Sequence, residues 1–203
     1  MDAASSSAQR RFDQWAPTYD DGPLQPVYRS AHRGVVGLLA TVRAPGRLLD
    51  LGCGTGRLLR AVGRALPHAA LVGVDRSATM LAIARRTAPG AAFVHAHAER
   101  LPFEDAAFDV VTATFAARHW AAPRDALHHI RRVLAGGGAA IIADCLDRGP
   151  RRRGPRLDPG RCLPPPWDTL LAQSGLRVRS VEYVEGHGPV PTITLIVAIA
   201  PSS

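Results

Sequence analysis

Three observations predict an α/β fold built on a mostly parallel sheet. Between residues 47 and 143 short apolar runs alternate with stretches of helical periodicity, the pattern of parallel strands joined by crossover helices. The first apolar run, Leu48 to Leu51, opens into Gly52-Cys53-Gly54-Thr55-Gly56, where alternating glycines let a tight turn approach a ligand without Cβ clashes. Near the C-terminus two β-branched runs, 178–184 and 192–200, flank Gly186-His187-Gly188-Pro189 and pair as an antiparallel hairpin. Five parallel strands plus this hairpin give a seven-stranded sheet with helices on both faces.

Each element has its own signal. Residues 1–8 are expected to be disordered and residues 9–203 to form a single domain, opened by a helical lid over 9–40. Phe12, Trp15 and Ala16 predict a short helix stopped by Pro17. Val27, Ala31, Val35, Leu38 and Leu39 recur at helical spacing behind Pro26, a residue suited to a helix start. Strand 47–51 leads through the glycine turn into a helix carrying Leu58, Leu59, Val62 and Leu66. Strand 71–74 leads into a helix capped by Ser77. The third strand is placed at 92–96 and the fourth at 108–115, after a turn at Glu104-Asp105. A helix with Ala126, Leu127, Ile130, Val133 and Leu134 on one face ends at Gly136-Gly137-Gly138, and the fifth strand is 139–143. Residues 146–166, rich in Arg and Pro, are expected to form a loop, followed by a short helix over Trp167–Gln173.

Composition bounds what such a chain can do. With 203 residues, 46% hydrophobic and 21% charged, it suits one domain that buries roughly 70% or more of its unfolded surface. The longest apolar run, residues 193–200, is too short to span a bilayer, and residues 1–7 carry no apolar signal core. A cytoplasmic location is therefore expected. Cys53, Cys145 and Cys162 have neither metal-ligand spacing nor an even disulfide count, so free thiols and no metal are expected. The net charge of +8 comes from 25 arginines without a single lysine. That bias fits a GC-rich genome as well as an anionic partner, and either origin attracts acidic ligands.

The glycine turn and a second acid point to a nucleoside cofactor. Nineteen residues beyond Gly56, the run Ala70-Leu71-Val72-Gly73-Val74 ends in Asp75, where ribose hydroxyls would be accepted. A dinucleotide site prefers Gly-x-Gly-x-x-Gly with a helix N-terminus aimed at pyrophosphate. Here the spacing is Gly52-x-Gly54-x-Gly56, preceded by Asp50. An acid beside the turn suits an amine, so S-adenosyl-L-methionine, with its methionine ammonium and no phosphate, fits better than NAD.

These residues resemble the class I S-adenosylmethionine-dependent methyltransferases, with their Rossmann-like fold, over nearly the whole chain. Residues 48–56 resemble the first cofactor motif, and 73–81 the segment that holds the ribose and flanks the adenine. Glu99-Arg100-Leu101-Pro102-Phe103, Phe108-Asp109-Val110-Val111, and Arg132-Val133-Leu134 with the three glycines continue the series in order. Within the class, residues 11–20 and Thr114-Phe115-Ala116-Ala117-Arg118-His119 are similar to the quinone C-methyltransferases and their small-molecule relatives. The second stretch departs from their Ser-Phe-Gly-Leu-Arg-Asn at His119, where they have Asn, and lacks the Gly.

The resemblance implies a set of site residues and a small-molecule acceptor that is aromatic, quinone-like or a natural product. Asp50, Gly52, Gly54, Thr55 and Gly56 would hold the methionine end, with Tyr19 closing over its carboxylate, and Asp75 would take the ribose. Arg76, Met80 and Ala98 would frame the adenine, His97 would accept from its amino group, and Thr114 would add a polar contact. The family usually has Asp or Asn at the position of His97. A neutral imidazole accepts that hydrogen bond and imidazolium does not, so cofactor affinity is expected to weaken at low pH. His119, at the carboxyl edge of the sheet, is the candidate base, and Arg118 the candidate stabiliser of a phenolate or enolate. The alternative for His119 is that it only caps the strand.

Two other functional readings stand beside this one. Arg148, Arg151, Arg152, Arg153, Arg156 and Arg161 form either a solvated loop or an anion-binding rim, and a nucleic-acid methyltransferase would use such arginines on phosphates. Against it, the Asn/Asp-Pro-Pro-Tyr/Phe element of amino-methylating nucleic-acid enzymes is missing after the fourth strand. The other reading is a cofactor-binding scaffold without methyl transfer. A homodimer in which a second copy completes the site is also compatible.

Overall fold

The computed structural model describes residues 3–42, 45–145, 167–184 and 193–202. Its elements are α1 (Ala3–Trp15), α2 (Gln25–Leu39), β1 (Arg47–Leu51), α3 (Arg57–Ala65), β2 (Ala70–Asp75), α4 (Ala78–Thr87), β3 (Ala91–His95), β4 (Phe108–Thr114), α5 (Pro123–Val133), β5 (Leu134–Asp144), α6 (Trp167–Gln173), β6 (Arg177–Val184) and β7 (Ile193–Ile199). Two 3₁₀ turns, Ala16–Asp21 and Ala117–His119, matter for the site. The Arg/Pro-rich stretch 146–166 lies outside the described residues, as does the turn between β6 and β7.

The seven strands form one sheet in the order β3-β2-β1-β4-β5-β7-β6. β1 to β5 are parallel to one another, while β7 runs antiparallel to both β5 and β6. The predicted hairpin is thus present, with its second strand inserted beside β5. Strand alternation divides the core in two. Leu49, Leu51, Val111, Ile142 and Ile196 face α5 and α6. Leu48, Val110, Ile141, Leu195 and Val197 face α2 and α3. Such continuous apolar strands, covered by helices on both faces, are what a parallel sheet requires.

Two local expectations are corrected. Disorder is expected from the sequence over 1–8, yet α1 already runs from Ala3. Alanine is the best helix former and serine is tolerated, so a helix anchored by its later turns extends backwards at little cost. The α-helix does end just ahead of Pro17, at Trp15, and the chain continues as a 3₁₀ turn with the proline in its first turn, where no N–H is needed. The three glycines do not follow α5 as a separate stop, because β5 takes them in from Leu134. The register with β4 shifts there, from Phe108 opposite Leu134 to Val110 opposite Ala139. A Cβ at Gly138 would lie 2.8 Å from the carbonyl oxygens of Ala135 and Asp109, so only glycine fits this bulge.

The topology positions the site. After β1 the chain leaves toward β2, and after β4 it leaves toward β5. The crevice beyond the carboxyl ends of β1 and β4 is the switch point at which open parallel sheets bind ligands.

Candidate functional site

At that crevice a cleft of about 690 Å³, continuous with solvent, is lined by Gly52 and Gly54 after β1, Asp75 and Arg76 after β2, and Ala96, His97 and Ala98 after β3. Thr114, Phe115 and Ala116 after β4 close its floor, and Met80, Glu99, His119 and Trp120 complete the walls. Phe12 and Tyr19 roof it from the N-terminal segment. A second lobe of about 380 Å³ shares Tyr19, Gly52, Gly54, Thr114 and Phe115 with the first, and is otherwise lined by Tyr28, His32, Asp50, Cys53, Thr55, Arg57 and Leu58.

Backbone geometry shapes the junction of the lobes. Gly52, Gly54 and Gly56 all have positive φ, at +70°, +52° and +79°. A Cβ on Gly52 would come within 2.5 Å of the Ala116 Cβ, so the two loops approach as closely as they do only because residue 52 is glycine. Phe115 also has a positive φ, +53°, which is costly for a side chain of its size. Its N–H is held by the Ala143 carbonyl at 2.8 Å.

Each lobe has one acid beside the glycine turn, Asp75 in the first and Asp50 in the second, and Glu99 adds a further acid to the wall of the first. Asp75 accepts from the Gly54 N–H at 2.9 Å through Oδ2 and from the Ser77 N–H at 2.8 Å through Oδ1. These two amides orient the carboxylate and leave further lone pairs toward the cleft. Burial raises its pKa, against the two backbone hydrogen bonds. Ser77 also caps α4 as expected, accepting from the Met80 N–H at 3.1 Å. In the other lobe Asp50 is 2% exposed and accepts from the Thr112 hydroxyl at 2.8 Å. Burial pushes its pKa up to about 7, against the Thr112 bond. A buried carboxylate so thinly partnered is matched to an incoming cation.

Two buried polar atoms in the first lobe, Thr114 Oγ1 and Arg76 Nη2, have no hydrogen-bond partner among the described residues. Orphans of this kind are rare in folded chains, and in a cleft they mark ligand contacts.

The structure brings together Tyr19, Asp50, Gly52, Gly54, Thr55, Asp75, Arg76, Met80, His97, Ala98, Thr114 and His119 around the two lobes. Gly56 lines neither lobe among the described residues and serves as the N-cap of α3. The Thr55 hydroxyl donates to Asp20 at 2.8 Å, so it fastens the roof. Arg118 departs furthest from expectation. Both its guanidinium Nη1 and its backbone N–H donate to Asp144, a fully buried acid at the end of β5, and it is absent from the walls of both lobes. Its charge neutralises Asp144, which burial would otherwise penalise heavily.

His119 does line the cleft, with its ring edge-on to Phe12 at 5.2 Å. Burial, with Arg118, Arg76 and Arg11 nearby, pushes its pKa down to about 4, against Asp144. It is therefore a neutral hydrogen-bonding group at ordinary pH and a weak base.

Sequence reasoning missed Phe12, Glu99, Phe115, Ala116 and Trp120 in one lobe, and Tyr28, His32 and Arg57 in the other. One signal was available. Tyr28 and His32 sit three and seven residues beyond Gln25 and continue into Val35 and Leu39. They are polar or amphipathic residues on the apolar stripe of α2.

Residues 49–142 match the family described as methyltransferase domain. Over that stretch the chain is similar to methyltransferase domains. It is 44% identical over 110 residues to the demethylmenaquinone methyltransferase of Thermus thermophilus, a match covering 52% of this chain and 50% of that protein. It is 34% identical over 151 residues to the demethylmenaquinone methyltransferase of Thermotoga maritima, covering 71% of this chain and 64% of that protein. The chain thus spans between half and two thirds of the length of these relatives. Among solved structures, the [4+2]-cyclase SpnF superposes with a TM-score of 0.77 at 21% identity, over 98% of this chain and 97% of that one. At that identity the likeness concerns the fold, and a fold hosts more than one chemistry.

Proposed function

We propose that the protein transfers a methyl group from S-adenosyl-L-methionine to a small, uncharged or weakly acidic aromatic acceptor. The observation that carries this reading is the paired cleft. One lobe has a carboxylate oriented for ribose, the other a buried carboxylate suited to an ammonium, and both share the glycine turn. A nucleoside joined to an amino acid is the ligand class with that outline.

The residues present fit this cofactor. Asp75 would hold the ribose; Met80, Ala98, Arg76 and His97 would enclose the base. Asp50 would meet the ammonium, with Tyr19, His32 and the Arg57 charge on the carboxylate side. The Thr114 hydroxyl, unpartnered among the described residues, is a donor where the lobes join. Bound there, the cofactor supplies an electrophilic methyl on a sulfonium and leaves as S-adenosyl-L-homocysteine, a neutral thioether that needs no acid.

The protein's share is then mainly positioning and exclusion of water. Well-oriented reactants recover roughly 7–11 kcal/mol of barrier. Phe12 and Tyr19 cover the cleft, while Phe115, Trp120 and neutral His119 wall its open side. That lining favours flat aromatic acceptors, in keeping with the quinone substrates named for the relatives. With Arg118 committed to Asp144, it is not free to stabilise an anionic acceptor.

The test is direct. Calorimetric titration should show binding of S-adenosyl-L-homocysteine, and Asp50→Asn and Asp75→Asn should each abolish it. Incubation with methyl-labelled S-adenosylmethionine and fractionated host extract should place label in organic-soluble small molecules. Label in acid-precipitable RNA would overturn the acceptor class. Sedimentation of the same preparation reads whether a homodimer forms.

A further inference from the structure

Arg57, the first residue of α3, lines the second lobe and reaches from it into the roof. Its Nε lies 3.0 Å from Asp20 Oδ1 and its Nη2 donates to the Asp20 carbonyl at 3.3 Å. Its Nη1 donates to Gln25 Oε1. Gln25, 4% exposed at the start of α2, passes the contact on, its Nε2 donating to the Tyr19 carbonyl at 2.6 Å. An uncharged amide buried between a guanidinium and a backbone carbonyl uses its acceptor toward one and its donor toward the other, which neither Glu nor Leu would do.

The end of this chain of contacts is the Tyr19 ring. It stacks on Tyr28 at 5.7 Å, meets Trp15 edge-on at 4.8 Å, and lines both lobes of the cleft. Burial, with Tyr28 alongside, raises the pKa of its hydroxyl far above the ordinary phenol value. The ring is therefore a neutral lid over the junction at which the amino-acid half of a ligand would meet the nucleoside half.

We propose that Gln25 and Arg57 are positioning residues that hold Tyr19 over the lobe junction, and that this makes the site select nucleosides bearing an amino-acid arm over bare nucleosides. The proposal rests on the cofactor reading above. Asp75, Met80 and His97 do not depend on the relay, so the nucleoside half keeps its contacts when the relay is cut. Only the arm loses its cover.

Calorimetric titrations of wild type, Gln25→Glu, Gln25→Ala and Arg57→Lys with S-adenosyl-L-homocysteine and, separately, adenosine test it. Gln25→Glu is the informative variant, because Glu still accepts from Arg57 while the donor to the Tyr19 carbonyl is gone. It and Gln25→Ala should weaken S-adenosyl-L-homocysteine roughly tenfold, the size of a lost hydrogen bond in a buried setting. Adenosine affinity should stay within about twofold, since its contacts are untouched. Arg57→Lys should behave likewise, because a point charge cannot serve Asp20 and Gln25 as a planar fork does. Circular-dichroism melting identifies a variant that fails to fold, and Gln25→Glu and Arg57→Lys are independent of each other in that respect. Equal losses for both ligands, or none for either in the folded variants, would overturn the proposal while leaving the cofactor reading intact. A wild type that binds no S-adenosyl-L-homocysteine would overturn both.

Discussion

Asp50 carries the sharpest residue-level prediction. Its pKa, pushed up to about 7 by burial, lies above its unfolded value, so the folded chain holds a proton that the unfolded chain releases. The associated stability is fully present below about pH 4 and is lost as pH rises through 7. Asp50→Asn should therefore raise the melting temperature of the ligand-free protein at pH 8 while removing cofactor binding, the trade expected of a buried functional charge. An ammonium beside Asp50 needs the carboxylate ionised. Binding should then release close to one proton per ligand below pH 7 and almost none at pH 8, as read by calorimetry in buffers of different ionisation enthalpy. His97→Asn, which keeps an acceptor, separates this from any weakening contributed by His97. His119 carries the second prediction. With a pKa near 4 it is poorly matched to proton abstraction, for which a value near the working pH is best. His119→Gln should lower the methyl-transfer rate by less than about tenfold, not the 100- to 10,000-fold of a lost general base; a loss in that larger range would restore the catalytic role. Asp50, Asp75 and the glycines were legible in the sequence because their roles follow from local chain geometry at fixed spacing. The pairing of Arg118 with Asp144 was not legible, because the partner lies 26 residues away on the neighbouring strand.

At the level of elements, the strands and most helices follow from periodicity, and β1, α6 and the pairing of β6 with β7 lie where the sequence places them. One difference falls where glycine has two meanings. The run Gly136-Gly137-Gly138 reads as a helix stop, yet it serves as a bulge whose shape is imposed by Asp109 on the next strand. The glycine turn after β1 is equally constrained by its neighbour. Gly52→Ala should cost about 1–2 kcal/mol for the left-handed backbone and ~1–3 kcal/mol for overpacking against Ala116. Denaturant unfolding should show that loss, with S-adenosyl-L-homocysteine binding weakened further because relief requires the β1 and β4 loops to separate. Gly90→Ala, with nothing within 4 Å of the added Cβ, is the control and should bind as wild type.

For the whole molecule, the sheet and its two apolar clusters form the scaffold, and the segment before α2 forms the roof. Among the described residues that segment adds only Ala16 to the fully buried apolar core, and it is fastened by Asp20 to Thr55 and Arg57 and by Asp13 to Ser77. Deleting residues 1–21 should thus leave a cooperative, folded sheet by circular dichroism, while S-adenosyl-L-homocysteine binding falls much more than adenosine binding; loss of the melting transition would show that the roof is part of the core. Among the described residues no helix is long and apolar enough to cross a membrane. What the sequence by itself determined is the alternation that makes a parallel sheet and the glycine turn with its two acids, because period and spacing are properties of the chain in isolation. Only the tertiary structure decided which side chains stay available in the cleft. Arg118 is consumed by Asp144, His119 is held neutral among arginines, and Gln25 and Arg57 are turned toward Tyr19. Availability depends on partners brought together by strand order and packing, and no local pattern encodes it.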